Sequence, residues 1–433
     1  LQRATSCQKC FRTGDLEQVG LTPFHHTFFE MLGNFSFGDY FKKEAIEWAW
    51  EFMTKVLDIN PGRLWVSVYE DDEEALNIWK GHIRIPIDKI KTFGQKDNFW
   101  PSNAIKDGPN GPCGPCSEIY YQKEGGESVE VWNLVFTQSD RRDNGVLETL
   151  PNKNIDTGMG LERMASVLQG VDSNFKIDIF RPIVEAVKNS VGLSDERPVN
   201  MIADHVRAVV FCIADGVLPS NDGRGYVVRK LIRRCAYMNP SKDPKPFLYK
   251  IVSSVADAMS EPYPEVLERR DNIAQIIRAE EEKYIKNILE GGGERLNAII
   301  ESLKREGSKV LPAEVGVDLY ETYGILPDFT IECSAKAGLT VNKDKMNALF
   351  KEAQDRTRAK SKMAGNIFNK GAVSLKNSEF VGYTIDSCEA RIIQMIKDGK
   401  EVREAKAGEN ISVVLDKTPF YGESGGQVGD RGV

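Results

Sequence analysis

The sequence predicts an α+β protein in which strands and helices are segregated along the chain. Three observations carry this. Residues 1–191 mix short runs of period-two alternation with amphipathic helices; residues from about 197 to 357 read almost wholly as helix; residues 378–433 return to alternation and close on a Gly-rich turn. Runs of strands followed by runs of helices point to an α+β fold or to separate domains.

The first strand candidate is His25-His26-Thr27-Phe28-Phe29-Glu30-Met31, in which period two puts His25, Thr27, Phe29 and Met31 on one face. A second, residues 129–136, is apolar and β-branched and puts Val131, Asn133 and Val135 on one side. Helices are expected at residues 42–56 and 161–168. In the helical middle, Val206, Val209, Val210 and Ile213 fall at helical spacing, as do Ile273, Ile277, Tyr284 and Ile288. The charged run Arg278-Ala279-Glu280-Glu281-Glu282-Lys283 reads as a solvated helix face. Towards the close Ile411, Val413 and Leu415 alternate, as expected of a β domain that has only begun. Boundaries near 193 and 375 divide the chain into residues 1–193, 194–375 and 376–433.

At 433 residues the chain exceeds one ordinary core, and 41% hydrophobic with 28% charged residues is a globular composition. No stretch resembles a transmembrane span or the apolar region of a signal peptide, so a cytoplasmic location is the expectation. Eight cysteines in so long a chain argue against a disulfide framework. The net charge of -7 disfavours a nucleic-acid partner overall, but local clusters overrule a total. The opening on Leu1 instead of Met, and the close on Gly425-Gly426-Gln427-Val428-Gly429, read as the ends of a piece of a longer protein.

Chemistry concentrates in two places. Arg12 precedes a polar turn from which the strand at His25 returns, so two antiparallel strands would bring a guanidinium fork to a histidine and an aromatic ring: a phosphate contact and a purine contact. Phe28 and Phe29 read equally well as core. In Asp156-Thr157-Gly158-Met159-Gly160-Leu161-Glu162-Arg163, two glycines before an amphipathic helix permit close backbone approach to a ligand, and Arg163 can aim at a phosphate. No Gly-Lys-Ser/Thr follows, so this is not a Walker loop, and a plain helix start is the alternative. A third pattern, Cys7-x-x-Cys10 with Cys113-x-x-Cys116, has the spacing of a four-thiolate zinc site.

The stretch Thr27-Phe28-Phe29-Glu30-Met31-Leu32-Gly33-Asn34-Phe35-Ser36-Phe37-Gly38-Asp39-Tyr40-Phe41 resembles the alanyl-tRNA synthetases closely. So do Gly111-Pro112-Cys113-Gly114-Pro115-Cys116-Ser117-Glu118-Ile119, Trp132-Asn133-Leu134-Val135-Phe136, the Asp156 to Arg163 segment, Ile202-Ala203-Asp204-His205, Pro219-Ser220-Asn221 with Arg224-Gly225-Tyr226, and Thr418-Pro419-Phe420-Tyr421-Gly422-Glu423-Ser424-Gly425-Gly426. The resemblance runs in order over essentially the whole chain. It implies a class II synthetase antiparallel sheet flanked by helices, then a helical tRNA-binding domain, then the start of a β-barrel domain leading to an editing portion. The family's first class motif would precede Arg3.

By the same resemblance the activity is that of an alanine–tRNA ligase, using ATP and Mg²⁺. Arg12 matches the second-motif arginine at the α-phosphate, His25 and Phe29 would face the triphosphate and adenine, Gly158 belongs to the nucleotide site, and Arg163 matches the third-motif arginine at the γ-phosphate. Glu118 is implied as a magnesium or nucleotide ligand, and Trp100, Asn133, Val135 and Asp156 as the alanine pocket. The chemistry suits these residue types: arginines absorb charge growing on phosphates, and Asp156 is the natural partner of an amino group.

Between Gly223 and Cys235 stand Arg224, Arg229, Lys230, Arg233 and Arg234 with no acid, and a basic helical stripe led by Arg229 and Arg233 can follow an RNA backbone, although a merely solvated face is the plainer reading. The resemblance assigns this region to the tRNA acceptor stem, with Asn221 as one minor-groove reader and Glu321 where the family usually has Asp, an arm longer by one methylene. It lowers the weight of the zinc pattern, because those cysteines fall in substrate-binding segments and the family's zinc belongs to a later domain. Two other functions compete. A tRNA-binding homologue without catalysis would be expected to lose Arg12, Asp156 and Arg163, all of which are present. A hydrolase clearing mischarged tRNA needs a His and Cys metal pattern that four histidines, none in His-x-x-x-His spacing, do not supply.

Overall fold

The structure is a computed structural model that describes residues 2–106, 108–143, 145–221, 223–239, 241, 244–287, 291–325, 327–361, 378–382, 385–397, 400–406, 408–422 and 429–432. Ile288, residues 423–428 of the Gly-rich close and the boundary near 375 lie outside the described residues. The chain forms two compact units, Leu1–Ile299 with Tyr323–Phe329, and Ile300–Thr322 with Thr330–Val433.

The first unit is built on one sheet. Its strands are β1 (Arg3–Phe11), β2 (Phe28–Phe37), β3 (Leu64–Tyr69), β4 (Ile90–Phe93), β5 (Phe99–Trp100), β6 (Gly111–Gln122), β7 (Ser128–Arg141) and β8 (Leu147–Gly160). They lie in the order β1-β2-β8-β7-β6-β3-β4, with β5 paired to β6; every pairing is antiparallel except β3 with β4. The α+β reading and its antiparallel sheet hold. The expected strand at 129–136 is the centre of β7, and that at 25–31 begins at Phe28, since residues 25–27 approach β2 without pairing in it.

Helix α1 (Lys42–Glu51) continues through a wider turn at Phe52–Val56, and with the short α2 (Glu73–Asn77) and the wider turn Ile78–Ile83 that follows it, it covers one sheet face through Ile46, Met53, Ala75 and Trp79 against Val66, Ile119, Leu134 and Phe136. Helix α3 (Leu161–Leu168) starts directly at the end of β8. A second core forms among α4 (Arg181–Val191), α5 (Glu196–Ala214), α6 (Gly223–Tyr237), α7 (Leu248–Met259), α8 (Pro264–Glu268) and α9 (Arg270–Asn287), and Phe28 of β2 reaches into it. Proline in the first turn of α4 fits a position that has no helical acceptor for an N–H, and Gly192 closes the helix at φ 66°. Helix α5 starts on the Asp195 cap and is buried almost all round, so it is the middle of this bundle and not an amphipathic surface helix.

One expectation fails here. Glu280 and Glu281 are buried, at 7% and 0% exposure, not on a solvated face. Glu281 accepts from the backbone N–H groups of Phe247 and Leu248 at 3.0 and 3.1 Å and so caps α7, while Glu280 pairs with two arginines of α6. A charged run shows which residues are ionic, not which of them find a buried partner.

In the second unit the helices Ala313–Tyr323 and Lys343–Ser361 stand beside a two-stranded parallel pairing of Val310–Leu311 with Thr340–Val341. Three strands, Ile392–Lys397, Lys400–Val402 and Ser412–Leu415, form a small antiparallel sheet where alternation predicts strands. Among the described residues no helix is long and apolar enough to cross a membrane.

Candidate active site

The registers of β8, β7 and β6 bring the expected pocket residues into rows on one sheet face. Gly158, Asn133 and Glu118 are cross-strand partners, and the row continues to Ser67 on β3; Asp156, Val135 and Cys116 form the next row. Alternation makes this placement automatic once the register is set, because Asn133 and Val135 are two residues apart. Trp100 enters separately: β5 pairs with β6 so that Trp100 lies opposite Gly114, about half exposed.

Beside these rows opens a cleft lined by Arg12, Phe24, His25, Phe29, Met31, Val131, Gly158, Gly160 and Arg163. Arg12 reaches it because its backbone N–H donates to the Thr27 carbonyl at 2.8 Å, which ties the end of β1 to the start of β2. Its guanidinium lies 5.1 Å from the centre of the Phe29 ring and 3.6 Å from Asp15. Arg163 sits in the first turn of α3, donates to the Glu130 carbonyl at 3.0 Å and carboxylate at 3.2 Å, and lies over Phe24. His25 shares a hydrogen bond of 2.7 Å between Nδ1 and the Thr22 hydroxyl; burial lowers its pKa, and the nearby Asp15 opposes this. Arg12, His25, Phe29, Gly158 and Arg163 are thus brought together around one cleft.

Gly158 has a packing reason for its lack of a side chain: a Cβ there would stand 2.7 Å from the sulfur of Met31. Asn133 and Asp156 present a matched pair of acceptors. Asn133 donates its amide N–H to Glu118 at 3.3 Å, leaving a buried Oδ1 without a hydrogen-bond partner. The Asp156 carboxylate has no hydrogen bond or ion pair among the described residues, and burial raises its pKa. Ammonium chemistry suits two such acceptors.

Glu118, expected as a magnesium or nucleotide ligand, is engaged by protein groups in this structure. Its two oxygens accept from Ser67 at 3.2 Å, Tyr120 at 2.6 Å and Asn133, and burial, followed by the nearby Glu130, pushes its pKa up to about 7. What Glu118 does in this structure is fix the Asn133 amide. Among the described residues no group of three or more His, Cys, Asp or Glu is arranged to hold a metal. The two Cys-x-x-Cys pairs stand on β1 and β6, four strand steps and thus roughly 19 Å apart, too far to share one tetrahedral ion.

The basic row on α6 also differs from expectation. Val228, Leu231, Ile232 and Cys235 pack inward as the spacing predicts, but Arg233 is buried at 5% exposure. It pairs with Glu280 at 2.8 Å, and Arg229 stands 3.0 Å from the same oxygen. Arg233 is therefore structural in its contacts, because an acid on α9, over forty residues away in sequence, turns it inward. Arg229 also donates to the exposed Asn221. Glu321 lies on the helix Ala313–Tyr323 of the second unit.

Sequence reasoning missed Glu130, which holds Arg163, Phe24 beneath it, and Asp15 beside Arg12. Glu130 left a trace, the one carboxylate within the strand read at 129–136; Phe24 and Asp15 lie in a loop whose pattern carries no such signal.

An antiparallel sheet that sets one arginine on a strand end and another on the following helix, about a cleft walled by aromatic rings, is the layout of a class II tRNA synthetase. The chain belongs to that family: the family model described as tRNA synthetases class II (A) matches residues 1–433. Among curated relatives, an Alanine–tRNA ligase of Thermus thermophilus is 45% identical over 465 aligned residues, covering 100% of this chain and 52% of that protein. The Alanine–tRNA ligase of a Thermoanaerobacter species is 43% identical, covering 100% and 51%, and that of Idiomarina loihiensis 42%, covering 100% and 51%. The chain spans about half the length of the curated relatives it matches.

Proposed function

We propose that this chain carries the aminoacylation part of an alanine–tRNA ligase, activating alanine with ATP to alanyl-adenylate and passing the alanyl group to its tRNA. The observation that carries the reading is the meeting of two chemistries on one sheet face: a cleft with Arg12, Arg163, His25 and the Phe29 ring, and next to it the unpartnered acceptors of Asn133 and Asp156. In this reading ATP stacks its base on Phe29, Arg12 meets the α-phosphate and Arg163 the γ-phosphate, and Gly158 and His25 complete the nucleotide site. Asp156 and Asn133 accept from the alanine ammonium, Val135 limits the space beyond its methyl group, and Trp100 closes the pocket. Carboxylate attack on the α-phosphate then expels pyrophosphate, and the arginines stabilise the charge that grows in transit.

The family implies ATP and a divalent metal; Mg²⁺ is the finer reading, and no step here is assigned to Glu118 as its ligand. For the tRNA we propose the acceptor stem as the recognised part, with Asn221 as a reader of the shallow A-form minor groove, Arg229 supporting it and the remaining basic residues of α6 near the backbone; Glu321, on the second unit, is proposed by the family resemblance as a separate reader. Residues 1–193 act as the catalytic part, 194–375 as the tRNA-recognition part and 376–433 as the start of a β domain, and the protein works in the cytoplasm. The deciding experiment is pyrophosphate exchange into ATP on this chain. Exchange that requires alanine supports the reading; ATP binding with exchange driven equally by an unrelated amino acid overturns it.

A further inference from the structure

The β2 strand has a gap in its hydrogen bonding. Its pairing with β8 begins only at Met31 and Gly160, so along residues 27–30 the edge that faces away from β1 has no strand beside it. That gap is where the cleft opens, and it lies under the Phe29 ring. Unpaired backbone groups at such a place would be free to shift or to fray.

Side chains take the place of the strand. Asp204 of α5, with no exposure, accepts from the Thr27 backbone N–H at 3.0 and 3.1 Å, one contact to each oxygen, and shares hydrogen bonds with His26 at 3.0 Å and His205 at 3.1 Å. One turn on, Arg207 donates to the Phe28 carbonyl at 2.6 Å and to Glu162. Glu162, next to Arg163, accepts in turn from the Glu30 N–H at 3.1 and 3.2 Å. Thr27 N–H, Phe28 C=O and Glu30 N–H are thus each held by a buried ion. Burial would raise the pKa of Asp204, but its hydrogen bonds to the two histidines outweigh that and lower it, so it stays a carboxylate.

This is an expensive way to fill a gap. Arg207 is wholly buried, lies 4.4 Å from the centre of the Phe180 ring and 4.9 Å from that of Phe28, and leaves two nitrogens without hydrogen-bond partners. Desolvated charges of this kind are poor devices for stability alone, and their best-attested use is to fix one arrangement.

We propose that Asp204 and Arg207, with Glu162, are positioning residues of the nucleotide site: they stand in for the missing strand along residues 27–30 and hold the Phe29 ring and His25 against the cleft. The helix that follows the sheet part therefore controls ATP affinity without touching ATP. This rests on the reading of the cleft as a nucleotide site, and the test separates the two.

Asp204→Asn keeps the volume and one acceptor but removes the charge. ATP binding is measured by titration calorimetry, and KM for ATP and alanine by pyrophosphate exchange, on the parent chain, on Asp204→Asn and on Arg207→Lys, which keeps the charge on a shorter arm that reaches less far toward the Phe28 carbonyl and Glu162. Expected is a rise in KM for ATP of tenfold or more in both variants, KM for alanine within a factor of two, and kcat per folded site nearly unchanged. Equal rises for ATP and alanine, or a loss confined to the amount of folded protein, would mean a general structural role and overturn the proposal. Unaltered ATP affinity in the folded variants would do the same. If the folded parent chain itself fails to bind ATP, the reading of the cleft is what falls.

Discussion

Replacing Asp156 by Asn removes one negative charge from the second row of the pocket and leaves the shape almost intact. The carboxylate has no partner among the described residues, so its loss strands no buried cation, and the change reports on the ligand alone. A hydrogen bond to a charged group contributes about 1.5–3 kcal/mol, and each 1.4 kcal/mol is about tenfold in an equilibrium. The Asp156 side chain remains reachable by solvent, which screens the interaction and favours the lower half of that range. The expected result is a fall of roughly 10- to 30-fold in kcat/KM for alanine, with KM for ATP within a factor of two or three, measured by alanine-dependent pyrophosphate exchange. A pH signature accompanies it. Burial raises the Asp156 pKa, and only its ionised form attracts an ammonium, so KM for alanine should climb as pH falls through that raised value in the parent chain and stay flat in Asp156→Asn. An unchanged alanine KM, or a matching loss of ATP affinity, would remove Asp156 from the pocket.

Three further outcomes follow from the same geometry. Gly158→Ala places a Cβ against the Met31 sulfur and pushes that side chain toward the cleft, so KM for ATP should rise about fivefold to tenfold while the fold is kept; wild-type ATP affinity would show that Met31 has room to move. Arg233→Gln leaves Glu280 with only Arg229 in a buried site and should lower the melting temperature by roughly 5–15 °C, whereas Asn221→Ala should spare both stability and exchange and reduce tRNA charging; a stable Arg233→Gln protein would contradict the buried pair. Glu281 is pushed up to about 7 by burial, which its backbone donors oppose, so its contribution to stability is present below its ordinary value near 4.5 and lost as pH rises to about 7. Glu281→Gln keeps an acceptor without the charge and should flatten that dependence, read by urea unfolding at pH 5 and pH 8; parallel losses in both proteins would place the titration elsewhere.

Much of the site was legible because strand periodicity is strict. Asn133 and Val135 share a face by alternation alone, and the two glycines before α3 marked a backbone that must approach something closely, which turned out in part to be Met31. Helix α3 follows its predicted bounds, and the apolar spacing of α5 predicted its buried face correctly, though not that the other face is buried too. Glu118 and Arg233 show the limit. Both are ionic residues expected at ligands, Glu118 by the family resemblance and Arg233 by the basic spacing of its helix, and in this structure both are engaged by protein groups: Glu118 by Ser67 on β3, by Tyr120 and by Asn133 on β7, and Arg233 by Glu280 on α9.

By itself the sequence determined the α+β class, the strand at 129–136 with the face that Asn133 and Val135 share, and a family resemblance that the family model and the relatives bear out. Only the tertiary structure decided which charges line the cleft and which are spent inside the protein. Periodicity is a property of neighbours along one element, where a few bonds fix direction, whereas the partner of a charge is set by strand order and helix packing that join residues such as Thr27 and Asp204 across 177 positions. The free energy of an ion depends on that partner and on its burial far more than on its own identity.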